Sequence, residues 1–554
     1  IPGHQPLKDM HLYSAQEFNN AILSDIGTSG NITSVYIMAS ICIFILLIAC
    51  INFINLTTAK AFQRAGEVGV RKSLGASRSV LIRQFLGESL LITLIAVILS
   101  VVFVEFTLPI FNAITQKNLS INLQNIGFIA LMLVIISAVT GVISGSYPAF
   151  FLSAFQPARV LKEKHIGGSS SAWLRKSLVV FQFVVSISLI SSILIIQKQI
   201  KFVQNVPLGF NPEFKITIPI QTGEAKVGYQ NLKNRFKQLA GVSEVSGSSA
   251  FPATPTVRNL PLYRDGATAE SAVSHYWISI DENYFGMLGI NLLQGRQLNI
   301  TTDTAGFLVP FTRIVVNEAS LKENNIEPEK ALGTKLHVDL NGQHLTFEIV
   351  GVVQDFHQFS MHKNVSPMMF IMPIPRMMDY SALCVAISAA NFDETLADLK
   401  KIWKELMPNS IFEYAVLTDS IKQQYDADQR VFAIIAVFTT IAIVLSCLGL
   451  YGLSVFTAET KIKEIGIRKV FGANVSQIVG ILSFDFIKLV VIAIVIAIPV
   501  GYYAMNTWLE NFAYKIDVDA TIFLLAGFMS VGIAGLTLGF EAAFRNPVDS
   551  IRNE

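Results

Sequence analysis

Ten residues carry the chemistry that this sequence repeats. Glu67-Val-Gly-Val-Arg-Lys-Ser-Leu-Gly-Ala76 returns as Glu464-Ile-Gly-Ile-Arg-Lys-Val-Phe-Gly-Ala473, 397 positions further on (464 − 67). Glu67, Gly69, Arg71, Lys72 and Gly75 in the first copy match Glu464, Gly466, Arg468, Lys469 and Gly472 in the second. A carboxylate one helical turn before two cations, closed by a glycine, offers ion pairing to a partner and suits docking rather than catalysis. Gly66 to Ser73 is also the nearest approach to a phosphate-binding loop, but Arg71 stands where that loop needs its second glycine. Without that glycine the backbone cannot wrap a phosphate, and no buried strand precedes it. Any ATPase is therefore another chain. Asp355, His357 and His362 lie close enough in sequence to raise the question of a metal. The stretch follows a strand and runs into a loop, so a satisfied polar cluster is the better reading. No catalytic residue, cofactor-binding residue or metal ligand is assigned.

The offset extends beyond the motif: Cys50 falls on Cys447, Leu56 on Leu453, Arg64 on Lys461 and Glu88 on Asp485. Both copies fit one amphipathic helix. Ala61, Ala65, Val68 and Lys72 step at helical spacing, as do Ala458, Ile462, Ile465 and Lys469. Gly75 and Gly472 sit where a helix closes through a left-handed residue, and Ser77 and Asn474 cap the helix that follows. A rival reading is an interfacial helix whose basic residues only hold anionic headgroups. Two copies in the same order weigh against it.

The elements that position these motifs are membrane helices. The chain is 52% hydrophobic and 15% charged, with 39 Phe, a composition of membrane proteins. A net charge of +2 with only local basic clusters gives no reason to expect nucleic acid. Cys42, Cys50, Cys384 and Cys447 form neither a disulfide framework nor a CxxC pair. Seven apolar runs approach the roughly 20 residues a span needs: 35–56, 90–111, 126–146, 178–196, 431–456, 486–503 and 522–540. Basic residues crowd the loop after the first run (Lys60, Arg64, Arg71, Lys72, Arg78, Arg83), the loop after the third and the loop after the fifth. The positive-inside rule then places both motifs and the C-terminus in the cytoplasm, with residues from about 197 to 430 on the far side.

Spans one to three and five to seven form matching triplets, each closed by a proline-containing segment, 156–161 and 546–551. A further span and a large domain precede only the second triplet, and the chain starts at Ile1. Symmetry therefore predicts eight spans in a complete chain and a first domain of which 1–34 is the remnant. The remaining expected boundaries are 35–160 for the first permease-like triplet, 161–198 for a linker and the fourth span, 199–428 for the extracytoplasmic domain and 429–554 for the second triplet. That domain reads as α+β: strand, helix and strand at 215–220, 227–239 and 242–248, then again at 382–388, 392–406 and 411–415. Two βαβ units flanking residues 252–373 predict a split βαβ subdomain with a β-rich insertion. Inside the insertion, strand patterns fall at 274–280, 312–316, 335–340 and 345–353, with Asn341-Gly342 as a hairpin turn.

Both motifs, with Ile51-Asn-Phe-Ile-Asn-Leu56 leading into the first, resemble the cytoplasmic signature of the FtsX/MacB-like permeases of ABC transporters. Ile349-Val-Gly-Val-Val-Gln-Asp-Phe-His357 and Ile314-Val-Val-Asn-Glu318 are similar to the periplasmic core domain of that family. The resemblance implies a non-catalytic permease in the bacterial inner membrane, driven by a separate cytoplasmic ABC ATPase subunit. It also implies a homodimer or heterodimer of permeases among membrane lipids, with room for a periplasmic adaptor. The ten motif residues would couple the ATPase to the far-side domain, for export or mechanotransmission. A receptor that recruits a signalling partner is the alternative, and a membrane-embedded enzyme finds no convergent ionisable residues within the spans.

Overall fold

The computed structural model describes residues 32–61, 65–115, 117–121, 126–153, 169–220, 222–254, 258–303, 311–340, 342–373, 380–460, 471 and 475–544. They fall into two units, each taken by itself. One is helical, within Thr33–Ile200, Gln429–Leu509 and Ile516–Glu554; the other takes Lys201–Asp428 together with Glu510–Lys515.

The helical unit is built from α1 (Ile32–Ala61), α2 (Ala65–Ser73), α3 (Arg78–Thr115), α4 (Ile126–Ser153), α5 (Ser169–Asn205), α6 (Asp426–Thr460), α7 (Val475–Leu509) and α8 (Ala520–Phe544). Long apolar runs take this form because lipid offers backbone amides no partner, and a helix satisfies them internally. Among the described residues, six helices are long and apolar enough to cross a membrane: α1, α3, α4, α5, α6 and α7. The described apolar part of α8 that meets those criteria is shorter, Ala520–Gly532. α3 and α4 pack through small residues: a Cβ on Gly145 would lie 2.6 Å from Ser89 Cβ, and one on Gly141 would lie 2.7 Å from Thr93 Oγ1. Glycine at these points is what lets the two backbones approach. α5 contributes to two apolar clusters of this unit. Its Phe183, Ile187 and Ile190 pack with Leu450 of α6 and Leu489, Val490 and Ala493 of α7.

The second unit holds two sheets. The first is antiparallel, ordered β11-β1-β10-β2, with β1 Lys215–Pro219, β2 Val242–Ser248, β10 Ala382–Ile387 and β11 Ala415–Val416. Helix Phe392–Leu406 buries Leu399, Ile402 and Trp403 in a core shared with Leu232 and Phe236 of helix Tyr229–Lys237. The single helix expected over 227–239 is instead two, Gly223–Val227 and Tyr229–Lys237. They divide at Gly228, where a Cβ would meet Met407 Cε at 2.2 Å.

The second sheet lies in the chain between β2 and β10. Its strands are β3 Asn259–Arg264, β4 Val273–Ser279, β5 Leu292–Gly295, β6 Phe311–Asn317, β7 Lys335–Leu340, β8 Gln343–Val353 and β9 Met368–Ile371. β8 is long enough to pair with β6 along one edge and with β7 and then β5 along the other. The β7–β8 pairing closes β8-β6-β9-β4-β3-β7 into a ring, which leaves only the short β5, paired with β8, as an edge among the described strands and so limits edges that would invite aggregation. Leu262, Ile314, Leu336, Phe347 and Ile349 belong to one core of this sheet, and Ile278, Val315, Phe356 and Phe370 to another.

His275 on β4 is wholly buried. Its Nδ1 faces the Val273 carbonyl at 2.8 Å, and its Nε2 faces Ser320 Oγ at 2.8 Å and Asn324 Nδ2 at 3.1 Å. Burial pushes its pKa down to about 4, because there is no water to solvate a cation. The unfolded chain therefore binds the proton first. Stability supplied by this site is complete above a pH of about 6.5 and is lost as pH falls towards 4, a change of about 3 kcal/mol. Hydrogen exchange of 273–279 and 318–324 should accelerate between pH 6.5 and 4.5 in the native chain. His275→Gln should flatten that dependence; an unchanged pH profile would refute the assignment.

Candidate functional site

α2 presents the first copy of the motif. Glu67 lies in its first turn and Arg71 and Lys72 in its last, the distribution that the helix dipole favours. Glu67 Oε1 and Arg71 Nη2 are 2.7 Å apart, one turn along the helix and both well exposed. Such a pair contributes only about 0.3–0.5 kcal/mol. Arg71 Nη1 also donates to Gln84 Oε1 on α3 at 2.7 Å. Lys72 Nζ donates to the Ser153 carbonyl at the end of α4 at 2.7 Å. The cations thus hold α2 to its neighbouring helices, a role the sequence reading did not give them.

The underside of α2 is apolar. Val68 packs with Leu81 and Phe85 of α3 and with Ala149 and Leu152 of α4, and Gly69 is buried beside it. The helix closes as expected at Gly75, whose φ is 95°. Ala76 N–H donates to the Arg71 carbonyl and Gly75 N–H to the Lys72 carbonyl, both at 3.0 Å. This 6→1 and 5→2 pairing is a Schellman close. Nothing lies within 4 Å of a Cβ built on Gly75, so backbone sign alone requires glycine. Gly75→Ala should cost about 1 kcal/mol, read as faster hydrogen exchange over 65–76; unchanged exchange would show that the turn tolerates a side chain. Ser77 precedes α3, but its hydroxyl meets Ser79 Oγ at 3.1 Å while its carbonyl accepts from Leu81 N–H at 3.4 Å.

The outer face of α2 was missed at the sequence level. Val70 is 50% exposed and Leu74 83% exposed. At about 100° per residue both point away from Val68, so the wheel itself held the signal. In the second copy Glu464, Gly466, Arg468, Lys469 and Gly472 lie outside the described residues. Phe471 is described, stands 397 positions after Leu74 and is 85% exposed. This position of the repeat thus holds a large, exposed apolar side chain in both copies.

The model of the FtsX-like permease C-terminal domain matches the chain twice, over residues 39–157 and 436–544. Both stretches are thus similar to the FtsX-like permease C-terminal domain. The macrolide export ATP-binding/permease protein MacB of Campylobacter jejuni is 26% identical over 158 residues, 28% of this chain and 23% of that protein. An uncharacterized ABC transporter permease of Bacillus subtilis, YvrN, is 23% identical over 327 residues, 55% of this chain and 78% of that one. Among solved structures, the periplasmic region of MacB from Actinobacillus actinomycetemcomitans is 18% identical, with a TM-score of 0.27 over 40% of this chain and 96% of that one. The chain spans about a quarter of the length of the MacB protein it matches.

Within this chain the other candidate sites have separate, local partners. Gly66–Ser73 is helical, so it cannot cradle a phosphate as a loop. Asp355 Oδ1 accepts from Asn317 Nδ2 at 2.8 Å and Ala319 N–H at 2.9 Å, at the start of helix Glu318–Glu323, which Asn317 caps. Burial raises the pKa of Asp355 and lowers that of His357. His357 meets the Tyr514 ring and His362 the Phe512 ring. Among the described residues no group of three His, Cys, Asp or Glu is placed to hold a metal. In the helical unit, Asn52 Nδ2 donates to the Leu445 carbonyl at 2.6 Å and Ser186 and Ser446 share a hydrogen bond of 2.8 Å. Asn52 also lies over Gly449, where a Cβ would come within 2.0 Å of its Oδ1. Gly449 is the repeat counterpart of Asn52, 397 positions on.

Proposed function

We propose that this chain is the membrane subunit of an ABC transporter. A separate cytoplasmic ATPase docks on α2 and on the matching segment of the second permease domain, and its closure is passed through the helices to the α+β domain on the far side. The observation that carries this reading is the pair of apolar side chains, Leu74 and Phe471, 83% and 85% exposed at equivalent positions beside a basic motif. A large apolar side chain flanked by cations is the form of an interface anchor, and two copies suit a partner that acts as a pair. The basic loops favour a cytoplasmic C-terminus and an extracytoplasmic α+β domain. MacB relatives carry ATP-binding and permease functions in one name, which supports an ATPase as the partner of the docking motif. Asn52 over Gly449 brings equivalent points of the two permease domains together, which favours both halves of the transport unit within one chain over a homodimer or heterodimer.

The test is a mild-detergent pull-down of the full-length protein from its native host, with native mass spectrometry of what accompanies it. The expected product is one permease chain with two copies of a Walker-motif ATPase. Failure to recover an ATPase across several detergents and nucleotide states would transfer the motif to a signalling partner and the chain to the receptor reading. Two permease chains per complex would restore the dimer.

A further inference from the structure

We propose that the short return segment Glu510–Lys515 is a clasp that fixes the α+β domain to α7 and α8, giving that domain a third attachment to the membrane helices besides α5 and α6. The clasp stands on geometry alone; its part in transmitting ATP-driven motion rests on the function proposed above.

Covalently, the chain enters the α+β unit at Lys201 from α5 and leaves it at Asp428 into α6. Glu510–Lys515 belongs to that same unit, although Leu509 before it ends α7 and Ile516 after it returns to the helical unit. Its hold is aromatic. The Phe512 ring stacks on His362 with centroids 4.2 Å apart and planes at 27°, and Phe512 is only 5% exposed. His362 also stacks with Tyr425 at 6.1 Å. Tyr514 meets His357 edge to face at 4.9 Å and 79°. The socket is itself braced: Met361 N–H donates to Tyr425 Oη at 2.9 Å, Ser360 Oγ lies 2.9 Å from His362 Nδ1, and Asp428 Oδ2 lies 3.4 Å from His362 Nε2. A buried phenyl ring gripped by a pre-formed socket is an anchor, whereas aromatic residues that only mark a membrane boundary face the headgroups.

The repeat supplies a control. The offset of 397 carries Phe512 and Tyr514 onto Thr115 and Lys117, neither of them aromatic. There the turn closes on itself: Asn112 Nδ2 donates to the Leu119 carbonyl at 2.8 Å, and Leu119 N–H donates to Asn112 Oδ1 at 3.0 Å. This turn can therefore be completed locally, and in the second copy the corresponding residues belong to the α+β unit instead. Two attachments leave a body free to pivot about the line joining them. A third attachment restrains that pivot, so tilting of α7 and α8 should be passed to the domain.

The experiment uses the full-length chain in lipid nanodiscs and reads hydrogen exchange. The double variant Phe512→Ala/Tyr514→Ala should speed exchange over 354–363 at least 10-fold and leave 343–353 unchanged. Phe512→Tyr/Tyr514→Phe should restore protection. Unchanged protection over 354–363 overturns the clasp. Should the alanine variant fold poorly, a Phe512→Cys/His362→Cys pair must cross-link within one chain under mild oxidant, and its failure to do so also overturns the clasp. With a co-purified ATPase, ATP should alter exchange of the α+β domain in the wild type and not in the alanine variant, while ATP hydrolysis persists. An equal ATP response in both overturns the mechanical role; no ATP response in the wild type sinks the coupling reading and leaves the clasp standing.

Discussion

A chain carrying Leu74→Asp and Phe471→Asp is expected to insert and fold normally yet lose the ATPase partner proposed above. Both side chains are more than four-fifths exposed, so neither change opens a cavity or buries a charge. In a docked complex each would place a carboxylate in an apolar groove. Losing one anchor of this kind costs about 2 kcal/mol or more, roughly 30-fold in affinity per site. With two sites changed, co-purification should fall below detection. The charge-reversal variant Arg71→Glu/Lys72→Glu/Arg468→Glu/Lys469→Glu should uncouple as well, with insertion intact. It is the less clean experiment, because Lys72 holds the Ser153 carbonyl and Arg71 holds Gln84. Loss of insertion in either variant, or an ATPase retained by the Asp pair, would remove the docking role from these segments.

The second large effect lies at Asp281. Its carboxylate receives Lys233 Nζ at 2.7 Å, Tyr229 Oη at 2.8 Å and Gly247 N–H at 2.8 Å on Oδ2, and Ser246 Oγ and Asn283 N–H on Oδ1. The side chains of Lys233 and Asp281 are 9% and 7% exposed. Asp281→Ala would leave an ammonium group buried without its counter-charge and several donors without an acceptor. The expected loss is about 3–5 kcal/mol, comparable to the whole stability of a small domain. A melting point lower by roughly 10 °C or more follows for a unit of this size. Lys233→Met/Asp281→Asn should recover much of it, since removing both charges also removes the uncompensated one. If Asp281→Ala melted with the wild type, the carboxylate would not be the joint its contacts describe.

What the sequence made legible was what local chemistry decides. Gly75 closes α2 because only glycine takes that φ without strain, and helix Phe392–Leu406 follows from its apolar spacing. β7 and β8 meet across two residues, Leu340 opposite Gln343, where Asn341-Gly342 marked a turn. β3 was missed because Pro261 argues against a strand. The sheet accommodates it because β3 pairs with β4 over Asn259–Leu262 and with β7 only at Tyr263 and Arg264, so one edge at Pro261 needs no donor. β9 was missed because Met368–Ile371 is buried throughout and shows no alternation. The outward face of α2 was readable but outweighed by its charges. The grip of Phe512 on His362 joins residues far apart in the chain and left no pattern to read.

The way the chain enters and leaves the closed sheet has a modular consequence. Ser248 and Ala382 are register partners on neighbouring antiparallel strands, so everything between them departs and returns through one opposed pair of residues. Excision of 249–381, with an Asn-Gly turn in its place, would convert β2 and β10 into an ordinary hairpin and leave a four-stranded domain with its own core of Leu232, Phe236, Leu399 and Trp403. The graft is not quite free of roots. Asp281 leaves with the excised piece while Lys233 stays behind, so the trimmed domain should fold only once Lys233 is also made apolar.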